Sequence, residues 1–374
     1  MQWHLLSKWC YNRVIVNAVA VVPGRLLIVV AALQHVSCLS HDVCSRSYSL
    51  STIYLGLNYE VLVWPPGNHD DSEASFSVVA SQYKATSVRV RFPSWQQNCV
   101  IMFGALRLDC DQTLDFTLHS METATFTSTS TDLSGTLVEA SKPVAVYVNN
   151  TRVEIGPGDV TDSMSEQLFP MTAWGRQFVL APVPDNSLSG YSISITCGSA
   201  VDVSVDIAGV VHQLVPQRAF TTNFTDNRPA YVSVVGGSGS AAIQLMQFVR
   251  GATVATDSGA PAALVVPAVE RYSDVYSLTT SEGFTEYVSI VIRQSDISGL
   301  RLNGLPLGLS GSDWKNVGSS SDWVTAAVQL PASTSSTLEH IGQRLFGAYS
   351  YGYVRGRCAF AHPSGASLPL QVSD

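Results

Sequence analysis

Short runs in which apolar and polar residues alternate recur along this chain, and they restrict its fold more than any other feature. In one run, Val88, Val90 and Phe92 alternate with Arg89 and Arg91. Successive side chains of a β-strand point to opposite faces, so each run predicts a strand with one buried face. Further runs begin at Leu114, Tyr191, Val201, Val288 and Val324. No long stretch has the helical period of 3.6, so we expect an all-β fold of antiparallel strands.

The stretch Asp132–Pro182 gives this pattern its clearest form. Lys142-Pro143 opens a strand at Val144–Val148, and Trp174-Gly175 opens another at Phe178–Leu180. Proline and glycine commonly mark such strand boundaries and turns. The stretch therefore predicts strand, turn and strand within one β-module.

Parts of this layout recur further along the chain. Glu166–Pro170 and Val265–Glu270 each precede a pair of strands, and three similar strands lie at Val144–Val148, Ala242–Phe248 and Phe346–Tyr353. The spacing between copies is about 100 residues, which suits a tandem repeat of small β-units. We expect β-sandwich-like modules, and β-propeller-like blades are the alternative.

Composition narrows the class of protein. Charged residues make up 13% of the chain and the net charge is −8, whereas an average globular protein has about 25% charged residues. Apolar and small polar residues take their place, as in secreted β-proteins. A chain without a basic field is a poor match for nucleic acid or for a polybasic membrane contact, so we expect neither partner.

Residues 1–40 have the features of a targeting segment. Arg25 precedes the apolar run LLIVVAAL, and the small residues of Val36–Ser40 offer a cleavage site. This order predicts a signal peptide and secretion. Because Val14–Val22 is also apolar, a signal anchor is the competing interpretation, although Pro23-Gly24 interrupts the combined run.

The seven cysteines are widely spaced and form no CxxC pair, which argues against a zinc ribbon or a redox pair. Cys99 and Cys110 are close enough in sequence to bridge one hairpin, and two separate buried thiols are the alternative. Cleavage near Ser40 would leave five cysteines. The odd one would be free or joined to another chain.

The chain has no recognisable catalytic, cofactor or metal motif: HExxH, GxSxG, P-loop and GxGxxG patterns are all absent. Two sequons, at Asn149 and Asn223, predict glycans on exposed turns of a secreted protein. We therefore expect no enzyme activity, no cofactor and no bound metal.

Aromatic residues near the C-terminus form the one candidate binding face. Tyr349, Tyr351 and Tyr353 share one face of a strand, and Trp314 and Trp323 lie in SerAspTrp tripeptides. Such rows either form a binding surface or pack as a ladder in the core. If the tyrosine face is exposed beside either tryptophan, it becomes the leading binding site.

Four segments resemble a known family. They are DLSGTLVEASKPVAVY from Asp132, EQLFPMTAWGRQFVLAP from Glu166, ALVVPAVERY from Ala263 and LFGAYSYGY from Leu345. Together they resemble the N-terminal domain of the IgGFc-binding protein family over residues 48–365, which leaves residues 366–374 as a C-terminal tail. The resemblance implies a secreted, non-enzymatic protein of mucus or the extracellular surface. Thr161 stands where the family usually has a cysteine, which implies that one disulfide is missing.

These observations favour a secreted, non-catalytic recognition or adhesion protein whose partner is an extracellular protein or a glycan. Binding to immunoglobulin Fc is implied by the resemblance alone. Two alternatives remain: a structural component of matrix or mucus cross-linked through the odd cysteine, and an extracellular hydrolase that uses paired carboxylates. We expect no membrane contact unless residues 1–40 persist as an anchor.

Overall fold

The computed structural model describes residues 13–16, 33–40, 43–156, 160–185, 190–198, 202–251, 259–318, 322–354 and 358–369, with side chains from Ser49 onward. Within these ranges, helix is confined to five short 3₁₀ segments. They lie at Thr52–Tyr54, Met171–Ala173, Val269–Arg271, Gln294–Gly299 and Gly311–Asp313. The all-β prediction is confirmed. None of the described helices is long and apolar enough to cross a membrane.

The strands of the described ranges, in chain order, are β1 Arg13–Val16, β2 Leu33–Ser40, β3 Val43–Ser49, β4 Gly56–Glu60, β5 Ala74–Ala80, β6 Thr86–Arg91, β7 Ile101–Phe103, β8 Leu106–Leu108, β9 Thr113–Leu118, β10 Thr123–Ser128, β11 Leu137–Glu154, β12 Thr161–Gln167, β13 Gln177–Leu180, β14 Tyr191–Thr196, β15 Val203–Ile207, β16 Val210–Leu214, β17 Phe220–Phe224, β18 Ala230–Gly236, β19 Gln244–Val249, β20 Ala262–Val265, β21 Val275–Thr279, β22 Thr285–Arg293, β23 Leu300–Leu302, β24 Leu305–Pro306, β25 Lys315–Asn316, β26 Trp323–Leu330, β27 Ser335–His340, β28 Gly347–Val354 and β29 Cys358–Pro363.

The N-terminal strands form a small antiparallel sheet in the order β1-β2-β3, and the backbone of β3 lies against β12 and β29. β1 and β2 fall inside the segment predicted to be a signal peptide or anchor. The rest of that segment, residues 1–12 and 17–32, lies outside the described residues. Signal cleavage therefore stays a prediction.

The remaining strands repeat one eight-stranded topology. In module 2, defined as β13–β20, one sheet has the order β13-β18-β15-β16 and the other has the order β17-β14-β19-β20. In module 3, defined as β21–β29, the corresponding orders are β21-β27-β23-β24 and β26-β22-β28-β29, with β25 added at one edge. The orders match strand for strand, which confirms the expected repeat of antiparallel modules.

Module 1, defined as β4–β12, contains the same two sheets joined by one long strand. The first half of β11 pairs with β4 and β6, and its second half pairs with β5 and β12. The register shifts between Glu139 and Val144, where the strand passes from one sheet to the other. The predicted strand at Val144–Val148 is therefore the second half of a longer strand. Pro143 lies at the crossing, where a residue without an N–H is best tolerated.

The modules differ mainly at one hairpin. In module 3, Asn303-Gly304 joins β23 to β24 with both residues at positive φ, as a two-residue type I′ turn requires. Ala208-Gly209 makes the same turn in module 2. Module 1 instead carries an insertion between β6 and β9 that contains the β7–β8 hairpin. A disulfide between Cys99 and Cys110 spans this hairpin, as the sequence predicted.

Each module buries side chains from both of its sheets in one core, as a β-sandwich does. The strand order within each sheet does not follow chain order, unlike that of a propeller blade. A buried tyrosine anchors the first strand in two modules: the Tyr59 hydroxyl donates to the Val144 carbonyl at 2.7 Å, and the Tyr276 hydroxyl donates to Phe346. In module 2 the corresponding residue of the first strand is Phe178, which has no hydroxyl to donate.

Neighbouring modules also pack on each other. Met246 and Phe248 of module 2 belong to the core of module 1, and the Phe248 ring meets Trp64 edge to face at 4.9 Å. Ser192 and Ser194 lie on the same outer face and are buried there. The alternating run at Tyr191 predicted a strand with one buried face, but both faces of β14 are buried, because module 1 packs on the outer face of this sheet.

A candidate binding groove between modules 2 and 3

The three tyrosines of the predicted binding face lie in the seam between modules 2 and 3. Tyr349 is fully buried, and its hydroxyl donates to the Val179 carbonyl at 2.9 Å. The Tyr351 hydroxyl donates to Gln247 at 3.0 Å, and the Tyr353 hydroxyl donates to Asp185 at 2.6 Å. Burial raises the pKa of Tyr349 and of Tyr351. The structure thus contradicts an exposed tyrosine face, because module 2 supplies the partners of all three hydroxyls.

The two tryptophans of the predicted binding face lie in different places. Trp314 is half-buried and packs against the core of module 3. Trp323 is 5% exposed and borders a groove between modules 2 and 3. The Tyr272 ring meets the Trp323 ring edge to face at 5.8 Å, and the Arg293 guanidinium lies 4.3 Å from the Trp323 ring centre. Of the five predicted aromatic residues, Trp323 is the one that lines this groove.

The groove has a volume of about 660 Å³, within the size range of small-ligand and peptide side-chain sites. Its floor is the outer face of the β13-β18-β15-β16 sheet, and module 3 supplies one wall. The polar and aromatic residues that line it are Gln177, Asp206, Arg228, Tyr231, Ser233, Arg293, Asn316, Asp322 and Trp323. They come from two modules, so the site exists only when the modules are assembled.

Most charges in the groove are matched. The Arg293 guanidinium lies 3.4 Å from the carboxylate of Asp322, and the guanidinium of Arg228 lies 3.5 Å from the carboxylate of Asp226. Burial raises the pKa of the Tyr231 hydroxyl, and the positive charge of Arg293 offsets part of that effect. The groove therefore offers both hydrogen-bond donors and hydrogen-bond acceptors, and its net charge is small.

The floor of this groove carries shorter side chains than the corresponding rows of modules 1 and 3. In module 2, one cross-strand row of the outer face reads Gln177, Ser233, Asp206 and Val211. The corresponding row of module 1 reads Asn58, Glu139, Arg89 and Asp115. In module 3 the row reads Val275, Glu339, Arg301 and Pro306. Modules 1 and 3 thus carry glutamate beside arginine where module 2 has serine beside aspartate.

In module 1 the long side chains of this row form ion pairs, one within the row and one with Arg91 two residues along β6. Arg89 donates to Asp115 at 2.7 Å, and Arg91 donates to Glu139 at 2.9 Å. Exposed pairs of this kind stabilise a fold by about 0–1 kcal/mol. The row of module 1 still lines an open concavity of about 490 Å³, built from module 1 residues alone. Module 2 has serine and aspartate at these positions, and module 3 adds a wall to its groove that the module 1 concavity lacks.

The predicted glycan sites differ in exposure. Asn223 is exposed on the edge strand β17, and its Oδ1 accepts a hydrogen bond from the Ser192 hydroxyl at 2.7 Å. Asn149 is half-buried within β11 rather than at a strand end, and its Oδ1 accepts from Ser165 at 2.7 Å. Glycosylation stays a prediction at both positions.

The cysteines whose side chains the structure describes offer no exposed thiol. Cys99 and Cys110 are joined to each other, and Cys197 and Cys358 are buried. Within the same part of the chain, no cluster of three or more His, Cys, Asp or Glu residues could hold a metal ion. Among the cysteines with described side chains, the matrix alternative has none that another chain can reach.

Sequence reasoning did not find the polar residues of the groove. Asp206 was visible only as a polar position in an alternating strand, and nothing local distinguishes it from Ser204. Gln177, Ser233 and Asp322 lie far apart in the chain. The available signal was the repeat itself, since aligning the three modules shows that module 2 lacks the glutamate and arginine of the others.

Three tandem β-sandwiches with a polar groove at a module junction define a modular all-β protein. The chain belongs to the IgGFc binding protein family, whose family model matches residues 45–352. This confirms the family resemblance noted in the sequence.

One curated relative is the IgGFc-binding protein of Homo sapiens. The chain is 28% identical to it over 305 residues, which cover 80% of this chain and 5% of that protein. The chain therefore spans only a small part of the length of that relative. No solved structure matches the chain.

Proposed function

We propose that this protein is a secreted, non-catalytic recognition protein that binds an extracellular protein through the groove between modules 2 and 3. The proposal rests on the residues that form this groove and on the contribution of a second module to it. One module of three replaces the long charged residues of a shared row by short polar ones, at the place where module 3 adds a wall. In module 1 the corresponding row lines a concavity whose residues all come from module 1, whereas the module 2 row faces residues of the next module. A short polar row with a wall from a second module points to a specific use of this copy.

Two further observations support an extracellular location. The Cys99–Cys110 disulfide is of a kind that persists in oxidising compartments. The apolar run after Arg25 has the length of a signal-peptide core. The name of the human relative makes the Fc fragment of immunoglobulin G the first partner to test.

The test uses the full chain purified from a secretory host and immobilised on a sensor surface. The Fc fragment of immunoglobulin G is the first probe, with the Fab fragment as the control for non-specific binding, followed by other purified extracellular proteins. Ser233→Arg places a long side chain opposite Asp206 and fills the groove. We expect this variant to lose at least tenfold in affinity for the bound partner, a difference of about 1.4 kcal/mol.

Asp115→Asn is the matched control, because it removes a charge from the corresponding row of module 1. Binding that survives Ser233→Arg unchanged would place the interface elsewhere. Absence of binding to every probe at micromolar concentration would count against a recognition function.

A further inference from the structure

Asp206 is the one acidic residue of the groove floor, and it differs from the other carboxylates nearby. It is half-buried on β15, and its Oδ1 accepts one hydrogen bond, from the backbone N–H of Gly209 at 2.8 Å. In the described part of the chain it makes no ion pair, whereas Asp226 and Asp322 each have an arginine partner. The groove floor therefore presents a carboxylate with no ion-pair partner among the described residues, since the two arginines that line the groove, Arg228 and Arg293, each lie beside another carboxylate.

In the other two modules, the position that corresponds to Asp206 is occupied by an arginine. Arg89 of module 1 and Arg301 of module 3 take the position that Asp206 has in module 2. Arg89 shows how such a row holds a guanidinium, since it donates to both carboxylate oxygens of Asp115, at 2.7 and 3.1 Å. In module 2 the row contains an anion and no cation.

We propose that the groove binds a basic side chain of the partner protein, with arginine preferred, and that Asp206 is its counter-ion. This inference rests on the proposed function, since it names the ligand chemistry of the same groove. The guanidinium has five N–H donors in a planar fork, which suits a carboxylate with neutral acceptors beside it. The Ser233 hydroxyl and the Gln177 amide oxygen lie next to Asp206 on the row, and neither makes a hydrogen bond within the described residues.

Two observations favour a basic protein side chain over a sugar. The Trp323 ring is 5% exposed and Arg293 lies over it, so the groove lacks an open aromatic face on which a sugar ring could stack. The chain as a whole carries a net charge of −8, which attracts a basic partner surface and raises its rate of association.

The first experiment uses short peptides and the full chain. Acetyl-Gly-Arg-Gly-amide, its lysine and glutamine counterparts and a set of methyl glycosides are titrated separately, and backbone amide signals are followed by NMR. The Gly209 amide is the reporter, because it donates to Asp206 and must respond when that carboxylate gains a partner. We expect a saturable shift of this signal with the arginine peptide in the millimolar range, weaker with lysine and absent with glutamine.

Asp206→Asn keeps the size of the side chain and removes its charge. We expect it to weaken arginine-peptide binding roughly tenfold and to abolish the salt dependence of binding. Asp115→Asn should leave both unchanged. The thermal unfolding midpoint of each variant shows whether the fold is intact.

The outcomes separate this inference from the proposed function. If a partner is lost on Ser233→Arg but bound equally by Asp206→Asn, the groove is the binding site and the basic-side-chain inference is wrong. If glycosides shift the Gly209 signal and the arginine peptide does not, the ligand is a glycan and the inference is again wrong. If no peptide shifts Gly209 in the millimolar range, Asp206 is not a counter-ion for a ligand.

Discussion

Glu60 provides a direct test of how modules 1 and 2 are joined. It ends β4 and is fully buried, and the Gln244 side-chain amide of module 2 donates to its backbone carbonyl at 3.2 Å. Neither carboxylate oxygen of Glu60 has a hydrogen-bond partner within the described residues. Burial raises the pKa of this carboxyl from 4.5 to about 7, and the nearby backbone N–H of Gly198 offsets only part of that effect.

A raised carboxyl pKa makes stability fall as pH rises. Below pH 4.5 the group is protonated in both the folded and unfolded chain and contributes no pH dependence. Between pH 4.5 and 7 the unfolded chain loses the proton while the folded chain keeps it, which favours unfolding. Each unit of pKa difference corresponds to 1.36 kcal/mol, so the loss reaches about 3 kcal/mol above pH 7.

Glu60→Gln removes the titration and keeps the shape of the side chain. We expect the variant to gain about 3 kcal/mol in unfolding free energy, relative to the natural chain, between pH 4.5 and pH 8. Urea unfolding at a series of pH values measures this difference. Glu282→Gln, at an exposed position, is the control and should show no such change. A constant difference between Glu60→Gln and the natural chain across this range would refute the reasoning.

Three further predictions concern stability and modification. Replacing the Cys99–Cys110 disulfide by two serines should lower the unfolding free energy by about 3 kcal/mol, measured in urea, and an unchanged midpoint would contradict the chain-entropy argument. Tyr59→Phe should lower the unfolding free energy by about 1–3 kcal/mol, since it leaves the buried Val144 carbonyl without its donor. An unfolding free energy equal to that of the natural chain would mean that this hydroxyl is replaceable. In a secretory host, Asn223→Gln should remove a glycan, seen as a mass loss matched by glycosidase treatment. Asn149→Gln should cause a smaller mass loss than Asn223→Gln, because Asn149 is half-buried in the sheet; the opposite order would show that exposure in the fold does not decide how fully a site is used.

Much of the fold was accessible from sequence because strand formation leaves a local signature. The alternation at Val88, Val90 and Phe92 predicted β6 and its buried face, and all three side chains are buried. The repeat was also visible, since Val144–Val148 lies in β11, and Ala242–Phe248 and Phe346–Tyr353 overlap the corresponding strands β19 and β28. The Cys99–Cys110 pairing followed from short spacing alone.

Local patterns could not show which faces other modules cover. The tyrosine row at Tyr349 has the same alternation whether it meets solvent or a protein surface, and only assembly with module 2 buries it. Ser192 is polar yet buried for the same reason.

The sequence by itself determined that this protein is a tandem array of antiparallel β-modules of a recognisable family, because the period of two and the module repeat are properties of neighbouring residues. Only the tertiary structure decided where the groove lies. Asp206, Ser233 and Arg293 come from strands that are distant in the chain, and a groove formed by two modules depends on their packing. Aligning the three repeats shows that module 2 lacks the glutamate and arginine of the other two, but only the packing of module 3 shows that this row faces a second module.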